Sequence, residues 1–330
     1  MKDDLKERAP DIRWRTGVRV LTNVSGAIVL LFLVYSLYIA AINMYLDTTG
    51  MKGKFIRSVI SVAELLEDGM RVDKGPFPTV EVTPFITQKT TLKLYRDVGK
   101  WQVVTGEIRA ERTVTGQFSY SIVDLPTYLN TQRQAAFSLP YTIMFNKPME
   151  VTPRPEHSLK QLSKIADGNV ARLSFSVSTL MSPDQLMEKL ASYDVFVTEL
   201  PVYAGELKEF NTSFSKSEAD YYVPHLSLRP LNHFDENNQL SSSAMYFTPE
   251  DKGAMSEHVS YMMSDLEWMT THIKYNGVDI DKKRLAYLKK HGVQVYGATV
   301  TGPVRELEKL QEQPEFRDFR LGLIEVWNWE

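Results

Sequence analysis

Hydrophobic and polar positions divide this chain into three regimes. From Val20 to Leu46 no charged side chain occurs, and the centre of that run, Ala27 to Ile42, has no polar face. About 20 apolar residues cross the hydrocarbon core of a bilayer as a helix, so the pattern predicts one transmembrane helix over residues 20–46. Two rivals fit less well. A core helix of a soluble domain would keep a polar side. A cleaved signal peptide has a shorter apolar core and a small-residue cleavage site, for which Ala40-Ala41 is the nearest approach.

The second regime, residues 47–150, begins with an amphipathic stretch, Phe55 to Leu66, that reads as a stalk continuing the membrane helix. Gly75-Pro-Phe-Pro78 ends any helix. Alternation then takes over: Thr91 to Val98 and Gln117 to Val123 each switch between apolar and polar, the period of a half-buried strand. Gly99-Lys100 suits a hairpin turn, and Gly106 and Gly116 suit bulges or turns. The reading is an antiparallel β-rich subdomain, with a connector at Pro148–Pro155.

The third regime, residues 151–330, mixes both periods. Helices are predicted at Glu156–Ala166, at Pro183–Ser192 behind the capping sequence Ser182-Pro-Asp-Gln185, at Asp281–Lys290 before Gly292, and at Pro303–Glu312. A further helix comes after the cap Thr248-Pro-Glu-Asp251, with Met255, Val259, Met262, Leu266, Met269 and Ile273 on one stripe. Strands are predicted at Ala171–Ser178, Val195–Tyr203, Val293–Val300 and Phe316–Trp329. The polar stretch Phe210–Ser243 reads as a mobile insertion. The fold class is therefore α+β: one N-terminal transmembrane helix, a β-rich subdomain, and an α+β sandwich with two β-α-β units. A split arrangement of those units would be ferredoxin-like.

Charge and composition narrow the function. The 330 residues carry a net charge of −3, which is no footprint of an electrostatic nucleic-acid binder. There is no cysteine, which excludes disulfides, thiolate metal sites and Fe–S clusters. Lys2, Lys6, Arg8, Arg13, Arg15 and Arg19 precede the apolar run, against Lys52, Lys54 and Arg57 after it. Positive charge sets topology, so residues 1–19 are expected in the cytoplasm and the bulk of the chain outside it.

Motifs for catalysis are weak. The histidines show no metal-binding spacing, although His225 and His233 share the polar insertion. Ser213-Phe-Ser-Lys216 has the Ser-x-x-Lys spacing of penicillin-recognising enzymes without their Lys-Thr-Gly partner. Glu81 and Glu107 form an imaginable acid pair. The expectation is a non-enzyme with no catalytic residue, cofactor or metal. Met255, Met262 and Met269 form either core or an adaptable binding face, and Trp327 and Trp329 either pack on a helix or bind a partner.

The run from Tyr296-Gly-Ala-Thr-Val-Thr-Gly-Pro to Leu310, the ending Leu323-Ile-Glu-Val-Trp-Asn-Trp329, and Leu173-Ser-Phe-Ser-Val-Ser178 with Ser182-Pro-Asp-Gln-Leu186 after it resemble the sigma factor regulator C-terminal domain of Firmicutes. The span and the region after it resemble the matching N-terminal module. The resemblance implies a membrane-bound anti-sigma factor that holds an extracytoplasmic-function (ECF) sigma factor and responds to the cell envelope. The implied sigma contact is the tail, with Lys6, Arg8, Arg13 and Arg15 as candidates. A tail of residues 1–19 is short beside the roughly 20–30 residues of a standard interface. It would act as a short clamp, extend beyond this N-terminus, or leave the contact to a second small membrane protein. The alternative is a membrane-anchored binding or scaffolding protein without a sigma contact, and an envelope hydrolase is a distant third.

Overall fold

The computed structural model describes residues 3–67, 69–73, 75, 78–125, 137–145, 157–217, 220–230, 232–247 and 255–329. The apolar run folds as expected, inside a longer helix, α1, that is unbroken from Asp3 to Thr48. Every residue from Gly17 to Tyr38 is exposed, as an apolar helix without a bilayer around it must be. Past that point α1 gains protein cover, and Ile42 and Leu46 are buried.

Gly50, at φ 65°, separates α1 from α2 (Met51–Leu66). A left-handed residue ends the helical path, and glycine adopts it without a Cβ penalty. This corrects the reading of Phe55–Leu66 as a stalk. Phe55, Val59 and Val62 recur at helical spacing and are fully buried, so α2 is a core helix. Its apolar stripe continues the hydrophobic character of the span, which makes the two resemble one element in the sequence.

The β-rich part is a sheet of β1 (Arg71–Val72), β2 (Glu81–Val82), β3 (Gln88–Val98), β4 (Trp101–Arg112) and β5 (Phe118–Asp124). Its strands are antiparallel in the order β1-β3-β4-β5, with β2 also pairing β3. Gly99 makes the β3–β4 turn at φ 57°. The register slips between Leu94 and Tyr95 opposite Gly106, so the predicted bulge is there. Short helices α3 (Tyr141–Phe145) and α4 (His157–Leu162) come next, α4 being shorter than the predicted Glu156–Ala166. The connector at Pro148–Pro155 and the cap at Thr248–Asp251 lie outside the described residues.

The second sheet starts with β6 (Asn169–Met181), α5 (Pro183–Leu190) and β7 (Phe196–Tyr203). Ser182 and Gln185 close the predicted capping box: Gln185 N donates to Ser182 Oγ at 3.2 Å and Ser182 N donates to Gln185 Oε1 at 2.9 Å. An insertion comes after β7, with β8 (Ser215–Ser217), β9 (Asp220–Tyr222), β10 (Leu226–Leu228), β11 (Asn232–Phe234), β12 (Leu240–Ser243), α6 (Met255–His272) and α7 (Val278–His291). The chain ends with β13 (Gln294–Pro303), α8 (Val304–Lys309) and β14 (Phe316–Val326).

The sheet order is β10-β7-β13-β6-β14, with every neighbouring pair antiparallel. Strands β6 and β7 are therefore parallel with β13 between them, and β13 and β14 are parallel with β6 between them. This is the interlocked, split β-α-β arrangement of a ferredoxin-like layer, as expected, with β10 added at the edge. The polar stretch Phe210–Ser243 is not a mobile loop. Tyr222, Val223, Leu226 and Leu228 are buried within it, and Leu226–Leu228 forms the edge strand.

One hydrophobic core runs through α2, both sheets and α6. The two sheets also meet at the β3–β4 turn. There Gly99 N donates to Thr301 Oγ1 at 2.5 Å, and Trp101 Nε1 donates to the Val326 carbonyl at 3.1 Å.

Two substitutions test the assignment of α2 to the core. Phe55→Ala should destabilise the detergent-solubilised protein by about 3–5 kcal/mol, the range for emptying a buried Phe site, whereas Leu31→Ala on bare α1 should stay within about 0.5 kcal/mol. Urea denaturation monitored by near-ultraviolet circular dichroism reads both. Equal midpoints would return α2 to the status of a stalk.

Candidate functional site

The chain passes from α1 into the two sheets through the junction where α2 ends. Strand β7 is apolar except for Thr198 and one carboxylate, Glu199, which is fully buried. Such a charge needs partners. It finds Arg172 on β6, with Nη2 at 3.4 Å, Arg229 just after β10, with Nη2 at 3.6 Å, and His225 just before β10, with Nε2 at 3.5 Å. Ser227 Oγ and Thr299 Oγ1 donate to its two oxygens at 2.6 and 3.3 Å. Burial pushes the Glu199 carboxyl upward. Arg229, then His225, then Arg172 outweigh that and hold it well below the usual carboxylate range.

The same cluster grips α2. The last carbonyls of a helix have no intrahelical donor. Here Arg229 supplies it, Nε donating to the Glu64 carbonyl at 2.6 Å and Nη2 to the Glu67 carbonyl at 3.1 Å. A cation at a helix C-terminus also suits the helix dipole. Two residues on, Gly69 N donates to Glu199 Oε1 at 3.2 Å. Gly69 sits at φ 62°, and a Cβ there would collide with Arg172 Nη2, so no larger residue fits without moving the guanidinium. Glu64 fixes the exit strand: its Oε1 accepts from Val72 N at 3.1 Å and its Oε2 from Asn232 Nδ2. Arg71 lies 3.6 Å from Asp97, a carboxyl that burial pushes up against the pull of Arg71.

Beside this joint opens a cleft of about 520 Å³ between the end of α2, β5, the insertion and the start of α7. Leu66, Glu67, Tyr120, Phe214, His225 and Arg284 are among its lining residues. Tyr120 Oη donates to Glu67 Oε1 at 3.0 Å; burial, then Glu67, holds the phenol above its ordinary value. Arg284 is clamped by Glu206 at 2.8 Å and Asp281 at 2.9 Å. The cleft thus has polar walls whose charges are already matched, with aromatic edges at Tyr120, Phe214 and Tyr222. Its wall and the Glu199 cluster share His225.

The structure scatters the residues singled out in the sequence. Lys6, Arg8, Arg13 and Arg15 fall on α1, where helical periodicity groups Lys6 with Arg13 and Arg8 with Arg15 on opposite sides; their side chains lie outside the described residues. Met255, Met262 and Met269 are buried in the core, which takes them out of any docking surface as the fold stands. Trp329 leans on Phe196 at 4.3 Å and its Nε1 donates to Asp194 at 2.7 Å, so it packs against a strand. Trp327, past the end of β14, is 43 % exposed.

The weak motifs separate in space. Ser213-Phe-Ser-Lys216 runs into a strand, not a helix, and Lys216 lies over the Tyr221 ring at 5.0 Å. His225 belongs to the Glu199 cluster, whereas His233 Nδ1 is 2.6 Å from Ser241 Oγ. Among the described residues no group of three or more His, Asp or Glu is placed to hold a metal ion. Glu81 and Glu107 are separated by β3 and by four register positions, roughly 16 Å from standard strand spacings, too far for a shared proton.

Sequence reasoning does not find the Glu199 cluster. The available signals are a lone carboxylate inside Val195–Tyr203 and a lone guanidinium inside Ala171–Ser178, each breaking an otherwise buried strand.

Because the folded-state value of Glu199 lies below its unfolded one, its charge stabilises the fold at neutral pH. That contribution is lost as pH falls below about 4.5. Glu199→Gln removes the carboxylate that faces two buried guanidinium groups and should cost about 3–5 kcal/mol at pH 7. Stability of the variant should also vary less between pH 5 and pH 3 than that of the parent protein, measured by urea titration at each pH. Parallel pH profiles would count against the cluster as a charged one.

Known proteins resemble part of this sequence. The model of the sigma factor regulator C-terminal family matches residues 162–323, just under half of the chain. The chain is also similar to a curated relative from Bacillus subtilis (strain 168), named "Probable anti-sigma-M factor YhdL", with 23 % identity over 189 residues. That alignment covers 57 % of this chain and 48 % of the relative, so the chain spans about half the length of the curated relative that it matches. No solved structure matches.

Proposed function

We propose, from the match of residues 162–323 to the sigma factor regulator C-terminal family, a membrane-anchored anti-sigma factor. In this reading α1 crosses the bilayer with its N-terminus in the cytoplasm, where the basic tail restrains an ECF sigma factor, directly or through a second small membrane protein. The domain beyond the membrane responds to the cell envelope. The role is regulatory, not catalytic.

One observation carries the proposal further than the family does. The only covalent path from α1 into the sheets passes through α2, and Arg229 and Glu199 tie the end of α2 to β7 and β10. A ligand or partner that prefers one position of this joint shifts the population of that position, and α1 moves with it. The cleft beside Glu67 and His225 is the natural place for such a ligand. The uneven distribution of positive charge about the span supports the orientation.

Deleting residues 2–13 should leave the protein in the membrane fraction while transcription from the cognate sigma-dependent promoter rises about tenfold or more, the size of a 1.4 kcal/mol or larger loss in restraint. Arg229→Met, which uncouples α2 from β10 without touching the tail, should change the response to envelope stress and leave tail-dependent binding of the sigma factor intact. A reporter output unchanged by the tail deletion would favour an anchored binding module with no sigma contact.

A further inference from the structure

The sheet of β1 to β5 ends in an apolar tip that its fold does not need. Between β2 and β3 the turn reads Thr83-Pro-Phe-Ile-Thr87, closed by Ile86 N donating to the Thr83 carbonyl and Thr83 N to the Thr87 carbonyl, both at 2.9 Å. Ile86 has φ 60°. A left-handed position in a hairpin turn is the natural place for Gly or Asn, and a β-branched residue there is strained. Phe85 is 83 % exposed, the most exposed large hydrophobic side chain among the described residues. Turn chemistry and burial would both be better served by polar residues, so the tip carries an apolar load at a cost to local stability.

Its position says what that load meets. The Tyr38 hydroxyl of α1 donates to the Pro84 carbonyl at 2.9 Å. Tyr38 is also where α1 loses its protein cover: Gly17 to Leu37 is exposed throughout, whereas Ile42 and Leu46 are buried. The uncharged bare stretch, Val20 to Tyr38, is roughly 27 Å long at 1.5 Å per residue, close to the hydrocarbon thickness of a bilayer. Tyr38 then stands at the interface, where Tyr is favoured, and the tip stands beside it. The register pairs Gln88 with Arg112, so the β4–β5 turn lies at the same end of the sheet. That turn exposes Val114. The opposite end, at Gly99-Lys100, packs on the second sheet instead.

We propose that Pro84-Phe85-Ile86, with Val114 beside it, inserts into the boundary between headgroups and acyl chains of the bilayer that α1 spans. The β-sheet is then a second membrane contact, and the domain is held at a fixed tilt over the bilayer by two points, not one. Residues 39–48 of α1 stand clear of the hydrocarbon as part of the domain. The inference rests on α1 crossing the membrane and is independent of what the tail binds.

Because the native chain has no cysteine, single-cysteine labelling of the full-length protein tests it directly. Phe85→Cys, Pro84→Cys, Leu30→Cys and Lys100→Cys would each be spin-labelled in nanodiscs of phosphatidylcholine and phosphatidylglycerol, and accessibility to oxygen compared with accessibility to a water-soluble nickel chelate. The oxygen-to-nickel ratio at Phe85 and at Pro84 should exceed that at Lys100 by at least about threefold, below the value at Leu30, as a shallow site requires. Reading both tip positions separates a turn disturbed by one label from a tip in water. Ratios at both tip positions equal to that at Lys100, with Leu30 in lipid, would overturn the proposal and leave the tip to water or a protein partner. Leu30 in water would overturn the membrane span and the proposal together.

Discussion

Everything after α1 is organised around a negative charge that water cannot reach. Glu199 sits in the middle of a buried strand, and its carboxylate is tolerable there only because Arg172, Arg229 and His225 face it from neighbouring elements. Those side chains are in turn ordered by what else they hold. Arg229 holds the end of α2, Arg172 reaches the Gly69 carbonyl, and His225 forms part of a cleft wall. Removing the charge would strand its partners; moving α2 would expose the charge. The two are one constraint, which fixes the end of α2 against β7 and β10.

A buried ion cluster is weak evidence for raw stability, since an apolar replacement of matching shape often does as well. Its value here is positional. Apolar contacts around Phe55, Val59 and Val62 allow α2 to slide with small loss, because burial is non-directional. Hydrogen bonds from Arg229 to particular carbonyls, and from Gly69 to one carboxylate oxygen, do not. A helix placed by both is held at one position along its own axis.

Much of this architecture is legible in the chain. The span follows from one uncharged run, the β-subdomain from alternation, and the interlocked C-terminal sheet from four strands and the helices between them, the first with a capping box. The parts that are not legible have physical reasons. Phe55–Leu66 reads as a continuation of the span because both are apolar helices, and only the left-handed Gly50 separates them. Phe210–Ser243 reads as mobile because polar residues dominate its composition, although its buried residues cluster between Asp220 and Pro230. The Glu199 cluster gathers residues from positions 69, 172, 199, 225–229 and 299, and no local pattern announces that five such segments meet. The methionine stripe shows the reverse: the pattern correctly marks one helical face, and its burial assigns it to packing.

The shared core has a consequence for how this protein can be taken apart. The region that matches the family model begins at residue 162, yet the fold it belongs to does not. Gly69, Glu64 and the buried face of α2 complete the sheet from the other side of the chain, and Trp101 and Gly99 brace its far corner. A unit of inheritance and a unit of folding therefore have different borders in this molecule. Shuffling the C-terminal module onto another anchor would preserve its strands and helices in name, while opening Glu199 to water along the seam where α2 had been.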